Sequence, residues 1–176
     1  MREKGLVHIY CGNGKGKTTA AMGLALRALG QGQQVVVVQF LKNHATGEIK
    51  LLEQLDHIRL FRGKAGDHFT SSMTEEERKK TRKIHEKNFA HAQQLVVEGK
   101  CELLILDEIL DAVAKEMFEE KMLLSFLENR PPFLEVVLTG REASPVIREC
   151  ADYITRMEKE RHPLDRGIVA REGIEY

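Results

Sequence analysis

The chain has 176 residues, 42% of them hydrophobic and 31% charged, which suits one domain with its own core and leaves little room for a second. Its 27 Lys and Arg balance 27 Asp and Glu, so it lacks the overall basic field that nucleic-acid binding requires, and a small-molecule substrate is expected. Cys11, Cys101 and Cys150 are too widely spaced for a C-x-x-C motif and read as reduced, mostly buried thiols. No signal-peptide-like segment opens the chain and no apolar run approaches the ~20 residues that span a bilayer, so a soluble cytoplasmic protein without membrane or nucleic-acid partners is expected.

The first apolar run, Leu6 to Tyr10, leads into Gly12-Asn13-Gly14-Lys15-Gly16-Lys17-Thr18-Thr19, and a helix-forming run, Ala20 to Arg27, follows. A triphosphate needs many donors at close range. Glycines let backbone N–H groups turn inward, the helix N-terminus is positive, Lys17 adds a point charge and Thr18 offers a hydroxyl to magnesium. The usual pattern has glycine where this chain has Cys11. Either the first turn does without positive φ there, or Gly12 and Gly14 supply the freedom. An ordinary glycine-rich turn is the competing reading, but strand, Gly-Lys-Thr triplet and helix coincide as a phosphate loop demands.

Further apolar runs follow at Val35 to Phe40, Ile58 to Phe61, Leu103 to Leu106, Leu134 to Leu138 and Tyr153 to Met157. Continuous rather than alternating apolar runs mark strands covered on both faces, which predicts a three-layer α/β fold with a mostly parallel sheet and ligands beyond the carboxyl ends of its strands. Lys42 to Thr70 is punctuated by Gly47, Gly63 and Gly66 and reads as mobile loops around one short strand, either a substrate cover or ordinary surface. Thr74 with Glu77 forms a capping box for a long helix ending near Gly99. Glu75 with Lys79 and Glu76 with Lys80 have i,i+4 spacing on a solvated face, and Phe89, Ala92 and Val96 form its apolar stripe.

Leu103 to Leu106 ends in Asp107-Glu108, the placement that sets a carboxylate opposite a phosphate loop. Asp107 is the expected magnesium partner, and Glu108 either orients a hydrolytic water or helps hold metal and substrate. The next strand ends in Thr139-Gly140-Arg141, where Arg141 either reaches phosphate oxygens or pairs with a surface acid. His85 and His91 are six apart and do not converge on one ion from a helix. His162 sits in a patterned tail, about 158–176, that is expected to be ordered at the substrate site.

The blocks at 12–19, Val37 to Lys42, Leu106 to Glu108, Thr139 to Arg141, Ala151 to Tyr153 and the closing Gly173 to Tyr176, in this order and spacing, resemble the P-loop type of ATP:corrinoid (cob(I)alamin or cob(I)yrinic acid a,c-diamide) adenosyltransferase. The resemblance covers about residue 6 to the end. It implies a RecA-like P-loop fold, one domain over 1–176, a homodimer, and transfer of the 5′-deoxyadenosyl group of ATP to the cobalt(I) of a corrinoid with release of triphosphate, served by a flavoprotein or flavodoxin-type reductant. By the same resemblance Gly12 to Thr19 and Arg141 hold ATP, Lys17, Thr18 and Glu108 act in catalysis, and Thr18, Asp107 and Glu108 serve magnesium. Phe69 and His162 fall on the corrinoid side. Relatives often carry Phe-Thr-Trp in the corrin-covering loop, whereas this chain has Phe69-Thr70-Ser71 and no tryptophan, and only Met1 to Gly5 precede its first strand where several relatives have a longer arm. A P-loop phosphotransferase or ATPase using Glu108 as base, and a non-catalytic module binding ATP and corrinoid, are the alternatives to be separated.

Overall fold

The computed structural model describes residues 4–43, 46–68 and 70–175. Its centre is a six-stranded sheet in which every pairing is parallel, with strands β1 (Val7–Cys11), β2 (Val35–Gln39), β3 (Ile58–Arg62), β4 (Leu103–Asp107), β5 (Glu135–Thr139) and β6 (Tyr153–Arg156) in the order β3-β2-β4-β5-β1-β6. All six apolar runs are strands, with ends moved by a residue or so. The fold is a three-layer α/β domain of the P-loop kind.

The sheet is apolar on both faces because helices cover both. Val35, Val37, Leu103, Ile105 and Val137 point to the face where α1 (Lys17–Leu29) packs through Ala21, Met22 and Ala25. Val36, Val38, Leu104, Leu106, Val136 and Leu138 point to the other face, against α3 (Glu75–Val97), α4 (Ile109–Ala114), α5 (Glu120–Asn129) and α6 (Pro145–Glu149). Alternate strand residues thus enter two separate cores, which is why the runs show no polar alternation.

The long helix begins as its sequence dictates: the Thr74 hydroxyl accepts from the Glu77 N–H, and Glu77 accepts from the Thr74 N–H in return. Glu76 and Lys80 make their i,i+4 pair at 2.8 Å, while Glu75 approaches Arg78 one residue short of Lys79. The loop expectation for 42–70 needs correction, because α2 (Gly47–Leu52) lies within it. One and a half turns are too short to show a helical period, and glycine at the first position hides it further. Ile49 and Leu52, three apart, nevertheless bury one face beside β2 and β3.

Strand β5 separates β4 from β1, so Thr139 comes between the Asp107 strand and the strand feeding the phosphate loop. Gln39 lies opposite Asp107, and Tyr10 opposite Thr139. One transverse row of the sheet therefore carries the polar ends of four strands. At the other margin β6 is an exposed edge strand whose extension runs over the loop after β1: Met157 donates its N–H to Cys11 O at 2.8 Å and accepts from the Gly14 N–H at 2.7 Å. A Cβ on Gly14 would stand 2.8 Å from the Met157 carbonyl, so the close crossing requires glycine there.

Phe89 is fully buried on α3, edge-to-face with Phe118 at 4.9 Å and Phe126 at 5.3 Å between ring centres, and so ties α3 to α5. Truncation leaves a cavity that rigid neighbours cannot close. Phe89→Ala is expected to cost about 3–5 kcal/mol, read in urea unfolding as a lowered midpoint with an unchanged slope; a loss below about 1 kcal/mol would mean the two helices are not packed through this ring.

Candidate functional site

The loop between β1 and α1 takes its shape from two left-handed turns, Gly12 at φ 106° and Gly16 at φ 114°. Cys11, with an ordinary φ, ends the strand and is buried, so Gly12 supplies the turn that glycine at position 11 would otherwise ease. Lys17 folds back and donates to Gly14 O at 2.7 Å, and partial burial lowers the pKa of its ammonium. Thr19 is exposed in the first turn of α1.

Chain segments remote in sequence steady this loop. Gly12 donates its N–H to Arg141 O at 2.8 Å, and the Arg141 N–H is itself held by the Asp111 carboxylate at 3.0 Å. Asn13 Oδ1 accepts from the Lys159 N–H at 3.0 Å, and Lys15 pairs with Glu175 at 2.7 Å. Arg141 and Asn13 line a common hollow of 320 Å³ beside the loop.

Asp107 lies under the loop with no exposed surface, and donors meet both of its oxygens. Oδ1 accepts from Thr18 Oγ1 at 2.9 Å and from Thr139 Oγ1 at 2.7 Å; Oδ2 accepts from Lys42 Nζ at 2.7 Å and Gln39 Nε2 at 3.1 Å. A buried carboxylate is tolerable only when paired and hydrogen-bonded in this way. Glu108 follows in the left-handed region at φ 62°, its N–H held by Thr139 Oγ1 at 2.9 Å, and thereby turns its carboxylate to the same cluster, 3.3 Å from Lys42 Nζ. Burial pushes the Glu108 carboxyl above the usual range, against the pull of Lys42.

The Lys42 ammonium also contacts Thr18 Oγ1 at 3.1 Å and is thus surrounded by Thr18, Asp107 and Glu108. Burial works against its charge, but the two carboxylates outweigh burial and raise its pKa. Its position is fixed from behind. Phe40 donates its N–H to Asp107 O at 2.9 Å, Leu41 adopts φ 57°, and the Leu41 N–H donates to His85 Nε2 at 3.1 Å. Left-handed backbone costs a leucine about 1–2 kcal/mol, so the turn depends on that bond. The other His85 nitrogen lies 3.1 Å from Met117 O and donates to it, which fixes a neutral tautomer.

Thr18, Asp107 and Glu108 present only oxygen donors, the set a hard divalent cation prefers, and the Lys42 ammonium stands among them as a cation of the chain's own. Gln39 Oε1, buried beside Asp107, has no hydrogen-bond partner among the described residues. The residues present therefore fit magnesium. Lys42 and Glu108 also border a 480 Å³ cavity closed by Lys64, His68, Thr70 and Lys115. A larger hollow of 710 Å³, lined by Leu110, Phe118 and Ile147 among others, includes none of the loop or Asp107 cluster residues.

The structure thus gathers Lys17, Thr18, Asp107 and Glu108 into one region. Phe69 lies outside the described residues; its neighbours His68 and Thr70 line the cavity beside Glu108. His162 caps the last 3-10 turn by accepting the Leu164 N–H at 3.1 Å and lines a 210 Å³ hollow with Leu164, Ile168 and Val169, in the tail rather than beside Glu108. Sequence reasoning gave no role to Lys42, Gln39, Thr139 or His85. The first three lie just beyond or at strand ends, and only the register across β2, β4 and β5 reveals that they converge on one carboxylate.

A family model described as ATP:corrinoid adenosyltransferase BtuR/CobO/CobP matches residues 3–176. Among curated proteins, the corrinoid adenosyltransferase of Sinorhizobium sp is 35% identical, aligned over 99% of this chain and 81% of its own length. That of Escherichia coli K12 is 34% identical over 99% and 87%, and the corrinoid adenosyltransferase CobA of Salmonella typhimurium LT2 is 33% identical over 100% and 88%.

His85 is buried and its pKa is pushed down to about 4 by desolvation, against an opposing bond to Met117. Unfolded chain protonates this ring near pH 6.5 while folded chain does not, so the folded state loses stability as pH falls from about 6.5 to about 4, by up to about 3 kcal/mol in all. Urea midpoints across that window should fall more steeply for wild type than for His85→Gln, which carries no titrating ring; equal slopes would remove His85 from this role.

Proposed function

This chain belongs to the ATP:corrinoid adenosyltransferase family, and from that premise we propose that it transfers the 5′-deoxyadenosyl group of ATP to the cobalt(I) of a corrinoid and releases intact triphosphate, in adenosylcobalamin synthesis or salvage. The observation that carries the reading is the gathering of Thr18, Asp107 and Glu108 around one ammonium, that of Lys42, at the phosphate loop. The adenosyl 5′ carbon is attacked by cobalt(I), itself the nucleophile, so the protein's work is placement and charge stabilisation rather than nucleophilic catalysis.

The loop N–H groups, Lys17 and the α1 N-terminus bind the triphosphate and stabilise charge that gathers on it as the C5′–O bond breaks. Thr18, Asp107 and Glu108 would together hold magnesium. Bound magnesium supplies further positive charge to the departing oxygens. Arg141, set beside Asn13, contributes a planar fork at the outer end of the chain of phosphates. The cavity bordered by Lys42 and Glu108 opens next to this cluster and is where the corrinoid approaches, with Phe69 and, from the tail, His162 as proposed contacts. A homodimer and a flavin-type electron donor complete the reading. Among the described residues no helix is long and apolar enough to cross a membrane.

Phosphorus NMR of a reaction holding enzyme, ATP, magnesium and chemically reduced cobalamin should show triphosphate appearing one-for-one with adenosylcobalamin, and negligible ADP. Stoichiometric ADP with no cobalt–carbon band in the visible spectrum would replace this reading with a phosphotransferase or ATPase, and no turnover would leave a binding module. Lys17→Ala, on a partly exposed loop, should abolish most ATP binding by calorimetry while shifting the unfolding temperature little.

A further inference from the structure

We propose that Lys42 is a tethered cation that occupies the magnesium position in the metal-free enzyme, so that magnesium enters by exchange with the ammonium and only when ATP can receive the displaced charge. The proposal rests on the reading of Thr18, Asp107 and Glu108 as the magnesium site. Lys42 Nζ lies 2.7 Å from Asp107, 3.1 Å from Thr18 and 3.3 Å from Glu108, so a divalent ion held by the same oxygens would coincide with the ammonium. Both cannot be present there together.

The backbone does not yield to make room. The Leu41 N–H is tied to His85 and the Phe40 N–H to Asp107 O, so the Lys42 Cα stays where it is and the exchange is a rotation of the side chain alone. Room exists on one side, since Lys42 already borders the 480 Å³ cavity. Charge decides when the rotation is favourable. Two carboxylates balance one ammonium and partly balance Lys17 nearby; adding a divalent ion while keeping the displaced ammonium in the same half-buried region leaves uncompensated positive charge. A triphosphate reverses that balance. Its negative charge offsets the ion and the displaced ammonium together, so metal and nucleotide bind as one event.

The test uses manganese(II), which shares magnesium's preference for oxygen ligands and is read by electron paramagnetic resonance without any turnover. Without nucleotide, Lys42→Met should bind manganese at least about tenfold more tightly than wild type, and ATP should narrow the gap. Equal affinities without nucleotide overturn the proposal. Asp107→Asn, made in both backgrounds, reports on the underlying site: if it fails to weaken manganese binding, the metal reading itself falls, whereas weakening together with equal affinities of wild type and Lys42→Met defeats the exchange alone. Should Lys42→Met unfold because two carboxylates lose their cation, magnesium is expected to restore its thermal transition, and failure to do so counts against the exchange. On wild type, the ¹⁵N–H signal of the shielded Lys42 ammonium should shift on adding magnesium and ATP; an unchanged signal at saturation overturns the proposal.

Discussion

A carboxylate with no solvent access organises this molecule. Asp107 is accommodated at the buried end of β4 because four donors reach it, and those donors come from α1, β5, β2 and the turn after β2. Each donor constrains the element that carries it. Thr139 must lie between β4 and β1, which the strand order provides, and Lys42 must double back, which the left-handed Leu41 provides. Removing any one donor would leave its oxygen with a single partner, and losing the lysine would also remove the cation that pairs with the carboxylate.

The two cores divide the labour around that centre. The core under α1 uses small residues, Ala21, Ala25 and Ala28, so the helix lies close to the sheet and its N-terminus comes down over the carboxyl ends of the strands. The core on the other face adds four aromatic rings, Phe40, Phe89, Phe118 and Phe126, to its aliphatic side chains, and from α3 His85 spans from Leu41 to Met117. A pinned turn on one face and a close helix on the other meet at the same carboxylate.

How much of this could be read beforehand follows from the range of each signal. The strands were legible because coverage on both faces writes an uninterrupted apolar run, and the phosphate loop because its eight residues are contiguous. The long helix announced itself through its capping box, and the acids at 107 and 108 through their place at a strand end. Helix α2 was hidden by its brevity. The partners of Asp107 were hidden for a different reason: Gln39, Lys42 and Thr139 meet through strand register, a property of pairs of segments about 30 to 70 residues apart that no single stretch encodes. Lys42 in particular is one of many lysines until its turn is seen to point inward.

The crossing of Met157 over Gly14 bears on how the protein is made. The ribosome delivers the phosphate loop more than a hundred residues before the backbone that braces it, which arrives along with Lys159 and Glu175. Strand β1 also waits for both of its neighbours, β5 and β6, which are synthesised after it. Nascent chains therefore carry an unbraced loop until Met157, Lys159 and Glu175 have emerged. A ligand that binds only the braced loop would stabilise chains that have reached Glu175 and would leave shorter ones without that protection from proteases.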